Sequence, residues 1–130
     1  MMKVIDLNHY TLRATREILE ELCLFYCEII RLKIGSRPPI GGNGYWLYAG
    51  NDPILHLIEC SPDEPRSTIA KNTFDHVAFT CQDPAAYELH IRKRGIIYKV
   101  RTVPQTNQFQ IFFKDPAGNG VELNFASKET

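Results

Sequence analysis

The sequence predicts an α+β fold built from two tandem βαβββ modules within one domain, residues 1–130, and three observations support this. The chain has 130 residues, which is the usual size of a single domain. Each half contains alternating apolar stretches typical of strands and one stretch with helical periodicity. The order of these elements repeats, so we interpret the chain as a duplicated module: module one at about 3–60, a linker at 61–72 and module two at about 73–126.

Module one begins with alternation and then changes period. Residues 15–33 have the periodicity of an amphipathic helix, with Thr15 as its N-cap. The Gly- and Pro-rich stretch 35–44 predicts a long loop. Strands are predicted at 3–12, 45–49 and 54–60.

Module two has clearer boundaries. Its helix has Asp83 as N-cap, Pro84 at the first helical position and Gly95 just past the end. Strands are predicted at 74–80, 96–101, 109–114 and 120–125.

Four polar residues occupy similar places in the two halves. His9 and His76 fall in the first predicted strand of their module, and Glu59 and Glu122 in the last. One His or Glu in a strand is usually a solvent-facing side chain, but four that follow the internal repeat indicate a shared site. Because His56 and Glu59 are three residues apart, they point to opposite faces unless a bulge intervenes, so only one of them can line that site.

Charge, hydropathy and cysteine usage exclude several classes of function. Fifteen Lys and Arg balance fifteen Asp and Glu, so neither nucleic acid nor an anionic membrane is an expected partner. There is neither a signal-peptide pattern nor an apolar run of membrane-spanning length, so we expect a cytoplasmic protein. The four cysteines form no Cys-x-x-Cys pair and are interpreted as reduced packing residues.

One segment resembles a known family motif. Residues 115–123, Asp-Pro-Ala-Gly-Asn-Gly-Val-Glu-Leu, are similar to the Asp-Pro-x-Gly-x-x-x-Glu-Leu ending of the vicinal oxygen chelate superfamily, which includes glyoxalases, bleomycin resistance proteins and dioxygenases. Residues 7–10, 55–59 and 74–79 resemble the other strands of that family that carry site residues. The resemblance covers nearly the whole chain, from Leu7 to Phe125.

The resemblance implies a cupped mixed sheet around one divalent metal ion (Zn, Ni, Co, Mn or Fe), which chelates two neighbouring oxygens of a small substrate. It implies His9, His76 and Glu122 as metal ligands. Glu59 is the expected fourth ligand or catalytic base. Such a metal stabilises the negative charge that forms when a carbon-bound proton leaves, and a loosely held carboxylate can move this proton. Relatives commonly pair as homodimers, so a homodimer is expected.

Three functions remain open at this stage. A glyoxalase-like isomerase or lyase needs only the metal and a carboxylate base. A ring-cleaving extradiol dioxygenase needs a further His or Tyr, and residues 107–111 hold no His where the family has one; His56, Tyr45 or Tyr48 would have to serve, since His90 falls on a helix. A drug-binding resistance protein without catalysis is the third.

Aromatic residues of module one are the expected substrate-binding side chains. Tyr45, Trp46 and Tyr48 lie in one predicted strand, so alternation directs them to both faces and at least one can line the cup. The loop 35–44 is a possible lid over it.

Overall fold

The computed structural model describes residues 1–64 and 73–126, so most of the predicted linker 61–72 lies outside the described residues. The chain divides into two compact units, Met1–Thr68 and Ile69–Thr130. Each unit contains one four-stranded mixed sheet and one α-helix, which confirms the predicted α+β fold of two βαβββ modules. In the described part of the chain, no helix is both long and apolar enough to cross a membrane.

Module one contains four strands and one helix. They are β1 (Tyr10–Ala14), α1 (Arg16–Phe25), β2 (Lys33–Gly35), β3 (Gly44–Ala49) and β4 (Asp52–Glu59). Thr15 is the N-cap of α1, as predicted. A π-helical segment, Tyr26–Ile30, continues α1 and ends at Arg31, which has a φ of 79°. The strand order is β1-β4-β3-β2, with β1 parallel to β4 and the other pairs antiparallel.

Two boundaries of module one differ from the prediction. The first strand begins at Tyr10 rather than at residue 3, because pairing with β4 begins where Tyr10 lies opposite Leu55. His9 therefore precedes β1 instead of lying within it. The sequence does not predict β2, because this strand of three residues falls where the helical periodicity of 15–33 ends and the Gly- and Pro-rich loop 35–44 begins.

Helix α1 covers one face of the module-one sheet. Leu47, Leu55 and Leu57 alternate onto that face and have no exposed surface. The buried Leu19 and Leu22 of α1 complete this core. Each fully buried leucine contributes about 1.5–3 kcal/mol relative to an exposed one. We call the opposite side of the sheet the open face of module one.

Module two repeats the arrangement. It consists of β5 (His76–Thr80), α2 (Pro84–Lys93), β6 (Lys99–Thr102), β7 (Phe109–Lys114) and β8 (Gly120–Phe125), in the strand order β5-β8-β7-β6. The predicted cap of α2 is confirmed, since the Asp83 carboxylate accepts a hydrogen bond from the Ala86 backbone N–H at 3.2 Å. Gly95, just past the helix, has a φ of 68° that favours glycine.

Aromatic and aliphatic side chains fill the core between α2 and its sheet. Tyr87 of α2 contacts the Phe125 ring at a centroid distance of 5.9 Å. Ile91, Ile111 and Leu123 are completely buried there. The opposite side of this sheet is the open face of module two.

The turn before β8 sets where that strand begins. Asp115 is buried, and its Oδ1 accepts hydrogen bonds from the backbone N–H groups of Ala117 and Asn119, both at 2.9 Å. At Gly120 an added Cβ would come within 2.2 Å of the Asp75 carbonyl oxygen. Only glycine therefore allows β8 to run this close to β5.

Candidate functional site

His76 and Glu122 contact each other on the open face of module two. His76 is the first residue of β5 and lies opposite Gly120, two residues before Glu122. The two side chains therefore emerge from neighbouring parallel strands on the same face. Nε2 of His76 lies 3.1 Å from Oε1 of Glu122, although Glu122 is only 6% exposed. The structure thus brings together two of the residues predicted to bind a metal.

The geometry and chemistry of this pair fit a divalent cation. Nδ1 of His76 donates a hydrogen bond to Oδ2 of Asp75 at 2.7 Å, so both ring nitrogens face carboxylate oxygens. A carboxylate can only accept, so either a proton on Nε2 or a metal ion must lie between His76 and Glu122. Two ligand atoms that bind one metal at about 2.1 Å and a right angle are about 3 Å apart, close to the observed separation. The bond from His76 lowers the pKa of Asp75 below its usual value, so Asp75 stays ionised.

Two side-chain amides fix the other oxygen of Glu122. Oε2 accepts hydrogen bonds from Nε2 of Gln110 at 3.1 Å and Nδ2 of Asn124 at 3.0 Å. Gln110 and Asn124 are register partners on β7 and β8, so both project on the open face. Because the Gln110 amide must direct its nitrogen at the carboxylate, its buried Oε1 has no hydrogen-bond partner among the described residues.

His9 in module one is oriented in the same way as His76. Its Nδ1 lies 2.7 Å from Oδ1 of Asn8, the preceding residue, as Nδ1 of His76 does from Asp75. Each of the two predicted histidine ligands is therefore held through Nδ1 by the residue before it. This arrangement leaves Nε2 as the nitrogen that can bind a metal.

Three stacked rings lie on the open face of module one. The His9 ring stacks on His56 at a centroid distance of 3.8 Å, and His56 stacks on Trp46 at 4.0 Å. His56 is buried, and its Nε2 lies 3.1 Å from the Pro53 carbonyl, which can only accept, so Nε2 carries the hydrogen. Burial, and then the nearby charge of His9, lowers the pKa of His56 below 6.5. His56 is therefore a neutral imidazole with its Nδ1 lone pair free of that bond.

The strand register makes His56 the counterpart of Glu122. His56 lies opposite Thr11 of β1, and Glu122 lies opposite Ala78 of β5. Thr11 and Ala78 are each two residues after the histidine that begins their module. The sequence-based pairing of Glu59 with Glu122 as equivalent positions is therefore not the one that the register gives.

Glu59 lies on the other face of its sheet. It is the last residue of β4, opposite Ala14, and alternation places its side chain on the same side as Leu57, toward α1. Its Oε1 forms an ion pair with Nε of Arg16 at 3.3 Å.

The predicted aromatic residues of β3 divide between the two faces. Trp46 and Tyr48 lie on the open face, and the Tyr48 hydroxyl donates to the Ser36 carbonyl at 2.6 Å, which attaches the start of the predicted lid loop to the sheet. Tyr45 points to α1 instead and donates a hydrogen bond to Glu20 at 2.7 Å. This bond raises the pKa of Tyr45 above its usual value.

Within each module, the described residues bring no three His, Cys, Asp or Glu side chains together as a metal centre. His90 does not add to the pair in module two, because it lies on α2, where its Nδ1 contacts Nη1 of Arg94 at 2.9 Å. All four cysteines are free thiols. Burial raises the pKa of Cys23 to about 12, so this thiol is inert near neutral pH.

Sequence reasoning missed the residues that orient the predicted ligands. The sequence signal for Asn8 and Asp75 is that a polar residue directly precedes each of the two repeated histidines. Gln110 and Asn124 were signalled by polar residues at alternate positions of otherwise apolar strands. In each case the signal is visible only once the histidines and Glu122 are considered as a group.

The comparisons with known proteins agree with this architecture. Residues 6–123 match the family model of the Glyoxalase/Bleomycin resistance protein/Dioxygenase superfamily. No curated protein is found to match the chain.

Solved structures of this architecture share the fold at low sequence identity. A fosfomycin resistance protein from Listeria monocytogenes is 19% identical over 96% of this chain and 94% of its own, with a TM-score of 0.68. An antibiotic binding protein from Streptomyces is 19% identical over 96% and 98%, also at 0.68. A lactoylglutathione lyase from Agrobacterium tumefaciens is 20% identical over 90% of both chains, at 0.64. With the family match over residues 6–123, the chain belongs to the glyoxalase/bleomycin resistance protein/dioxygenase superfamily.

Proposed function

We propose that the protein is a divalent-metal-dependent enzyme, of glyoxalase-like isomerase or lyase type, that acts on a small molecule with two adjacent oxygen atoms. The observation that carries this proposal is the 3.1 Å contact between His76 Nε2 and Glu122 Oε1, with Asp75 bonded to the opposite ring nitrogen. His9, the further ligand predicted from the sequence, has the same kind of support from Asn8.

His76, Glu122 and His9 would hold a divalent metal, whose positive charge would stabilise negative charge on two adjacent oxygens of the substrate. Three residues of module two orient the side chains that would bind the metal. Asp75 keeps the proton of His76 on Nδ1, so that Nε2 presents its lone pair. Gln110 and Asn124 hold Glu122 in place by donating hydrogen bonds to its Oε2. Glu59 is not given the role of base, because its side chain lies on the α1 side of the sheet next to Arg16; the carboxylate on the open face that would take the carbon-bound proton is Glu122.

One observation counts against the dioxygenase alternative, and another supports the drug-binding alternative. A ring-cleaving dioxygenase needs a further acid or base beside bound oxygen, but the β7 residue that contacts Glu122 is the amide Gln110. A non-catalytic drug-binding role is favoured by the ring stack of module one, which offers an aromatic surface. We also propose a homodimer, as the family resemblance implies, which light scattering on the purified protein would check. A cytoplasmic location is proposed from the sequence alone.

Metal analysis combined with a bidentate oxygen probe tests the proposal. The protein is purified without chelator, its metal content is measured, and a cobalt-loaded sample is titrated with acetohydroxamate while the visible spectrum is followed. We expect stoichiometric metal and a spectral change in the parent, and loss of both in His76→Ala. Equal metal content in the variant would refute the ligand assignment. Oxygen uptake with a catechol would replace the isomerase with a dioxygenase, and failure to bind any of Zn, Ni, Co, Mn or Fe would favour the binding protein.

A further inference from the structure

A cleft of about 640 Å³ opens on module two beside His76. Its walls come from residues 95–99, at the start of β6, and from the adjoining ends of β5, β7 and β8. Sites for drug-sized ligands have volumes of about 300–1,000 Å³. A substrate of only a few atoms would leave most of this cleft empty, so its size points to a larger organic molecule.

Register places an aromatic ring and two cations on the same face of the sheet, beside the cleft. Lys99 lies opposite Phe112, and Lys114 follows Phe112 by two residues, so the three side chains project on the open face. Lys114 in turn lies opposite Gly120, and Gly120 opposite His76. Lys99 and Phe112 thus lie in the row that leads to Glu122, and Lys114 lies in the neighbouring row that leads to His76, where Gly120 leaves space. The Phe112 ring meets the His76 ring edge-on at 6.3 Å.

Branched apolar side chains form the other wall. Ile96 and Ile97 line the cleft, and Ile97 is 91% exposed. Tyr98 between this wall and β6 is held in place, because its hydroxyl donates to Oε2 of Glu88 at 2.9 Å. An exposed isoleucine and a phenylalanine ring that line the same cleft are suited to cover the apolar part of a ligand.

The charge of the lining favours an anion. Lys99 and Lys114 bring two positive charges, whereas Asp75 is the single carboxylate among the described residues that line the cleft. Asp75 already accepts the hydrogen bond from His76, and Lys114 is close enough to contribute to the lowering of its pKa. Ammonium groups beside an apolar surface form charge-assisted hydrogen bonds with a carboxylate or a similar anionic group.

We propose that this cleft binds an organic acid, with its apolar body between Phe112 and Ile97 and its anionic group on Lys99 and Lys114. The inference names the substrate class of the proposed function. It rests on that function only in placing the ligand next to His76. The binding itself requires no metal.

A matched pair of probes separates the charge from the apolar body. 2-Naphthoate and 2-naphthylmethanol share one ring system and differ in the carboxylate. We expect calorimetry on the protein treated with EDTA to show naphthoate binding about tenfold more tightly, since charge-assisted hydrogen bonds contribute more than neutral ones. The double substitution Lys99→Gln, Lys114→Gln should remove this preference, whereas Lys93→Gln on α2 should leave it unchanged.

A second pair of variants tests the apolar wall. Ile97→Ala should weaken both probes by a similar factor, and Ile40→Ala, an exposed isoleucine of module one, should weaken neither. Both sites are solvent-exposed, so folding is not at risk. Amide shifts induced by naphthoate should fall at residues 95–99 and 112–114.

Equal affinity for the two probes, shifts confined to module one, or the same loss in Lys93→Gln would each overturn the proposal. The measurements use metal-free protein, so their outcome does not depend on the metal-dependent activity.

Discussion

The two modules share one topology and one register but differ in what their open faces carry. In module two, Glu122 lies on the neighbouring strand, opposite the second residue after His76. It is a buried carboxylate in contact with His76. In module one the same register position holds His56, a neutral ring stacked between His9 and Trp46. The scaffold therefore fixes where a side chain emerges, and the residue at that place decides whether the face is charged or aromatic.

The buried charge of Glu122 needs more hydrogen-bond partners than the neutral ring of His56 does. A buried carboxylate is costly unless it is paired and hydrogen-bonded, and Glu122 has His76, Gln110 and Asn124 around it. His56 is buried as the neutral form and needs only ring contacts and the Pro53 carbonyl. Module two is thus equipped to hold a cation, and module one to present flat rings.

The largest effect is expected from replacing the buried carboxylate. Glu122→Gln removes the charge that pairs with His76, so metal affinity should fall by more than about 100-fold, since the loss of an outer-shell partner alone costs about 10- to 100-fold. Calorimetric titration of chelator-treated protein with zinc or cobalt measures this. Glu59→Gln is the matched control, and it should bind metal as the parent does. If both variants lose affinity equally, the register-based choice between the two glutamates is wrong.

Exchanging the residues that hold the two histidines should shift metal affinity in opposite directions. Asp75→Asn replaces a carboxylate by an amide behind His76 and should weaken binding by about tenfold, at the lower end of the range for such partners. Asn8→Asp makes module one resemble module two and should strengthen binding if His9 is a ligand. Nitrogen NMR of the imidazoles gives a readout independent of activity: the parent should show the hydrogen on Nδ1 of His76. A metal affinity that neither exchange alters would contradict the proposed ligand support.

The ring stack should contribute a smaller effect, on folding stability. Trp46→Leu removes one stacked partner of His56 and should lower the free energy of unfolding by about 1 kcal/mol, as other aromatic pairs do. Tyr45→Phe is the control in the same strand, because it loses only an exposed hydrogen bond to Glu20 and should change stability by less than about 0.5 kcal/mol. Urea denaturation followed by circular dichroism measures both. Equal losses would show that the stack adds nothing beyond ordinary packing.

The sequence predicts most elements of module two because each has a local signal. Strands β7 and β8 begin and end where the alternation of 109–114 and 120–125 does. Asp83, Pro84 and Gly95 mark the two ends of α2 in the way that caps physically require. Where the chain itself supplies the capping group or the turn, pattern and structure agree.

The rest depends on partners that are distant in sequence. The alternation at 3–12 is real, but a strand also needs a neighbour, and β4 provides one only from Tyr10 onward. Alternation correctly predicts that His56 and Glu59 point to opposite faces. It does not tell which face α1 covers, and that contact decides that His56, not Glu59, occupies the open face.

The smallest expected effect is a pH dependence that belongs to module one. Burial lowers the pKa of His56 below 6.5 in the folded protein, so between that lowered value and pH 6.5 the unfolded chain binds a proton that the folded one does not. Stability should therefore decrease as pH falls below 6.5, and this part of the decrease should be absent in His56→Phe, which retains a ring in the stack. Thermal unfolding at a series of pH values measures it, with His90→Gln on α2 as the control. Asp75 does not interfere, because its pKa is lowered from 3.8 and its contribution is lost only in more acidic solution. An unchanged profile in His56→Phe would mean that His56 is as easily protonated in the folded protein as in the unfolded chain, which would contradict its assignment as the neutral counterpart of Glu122.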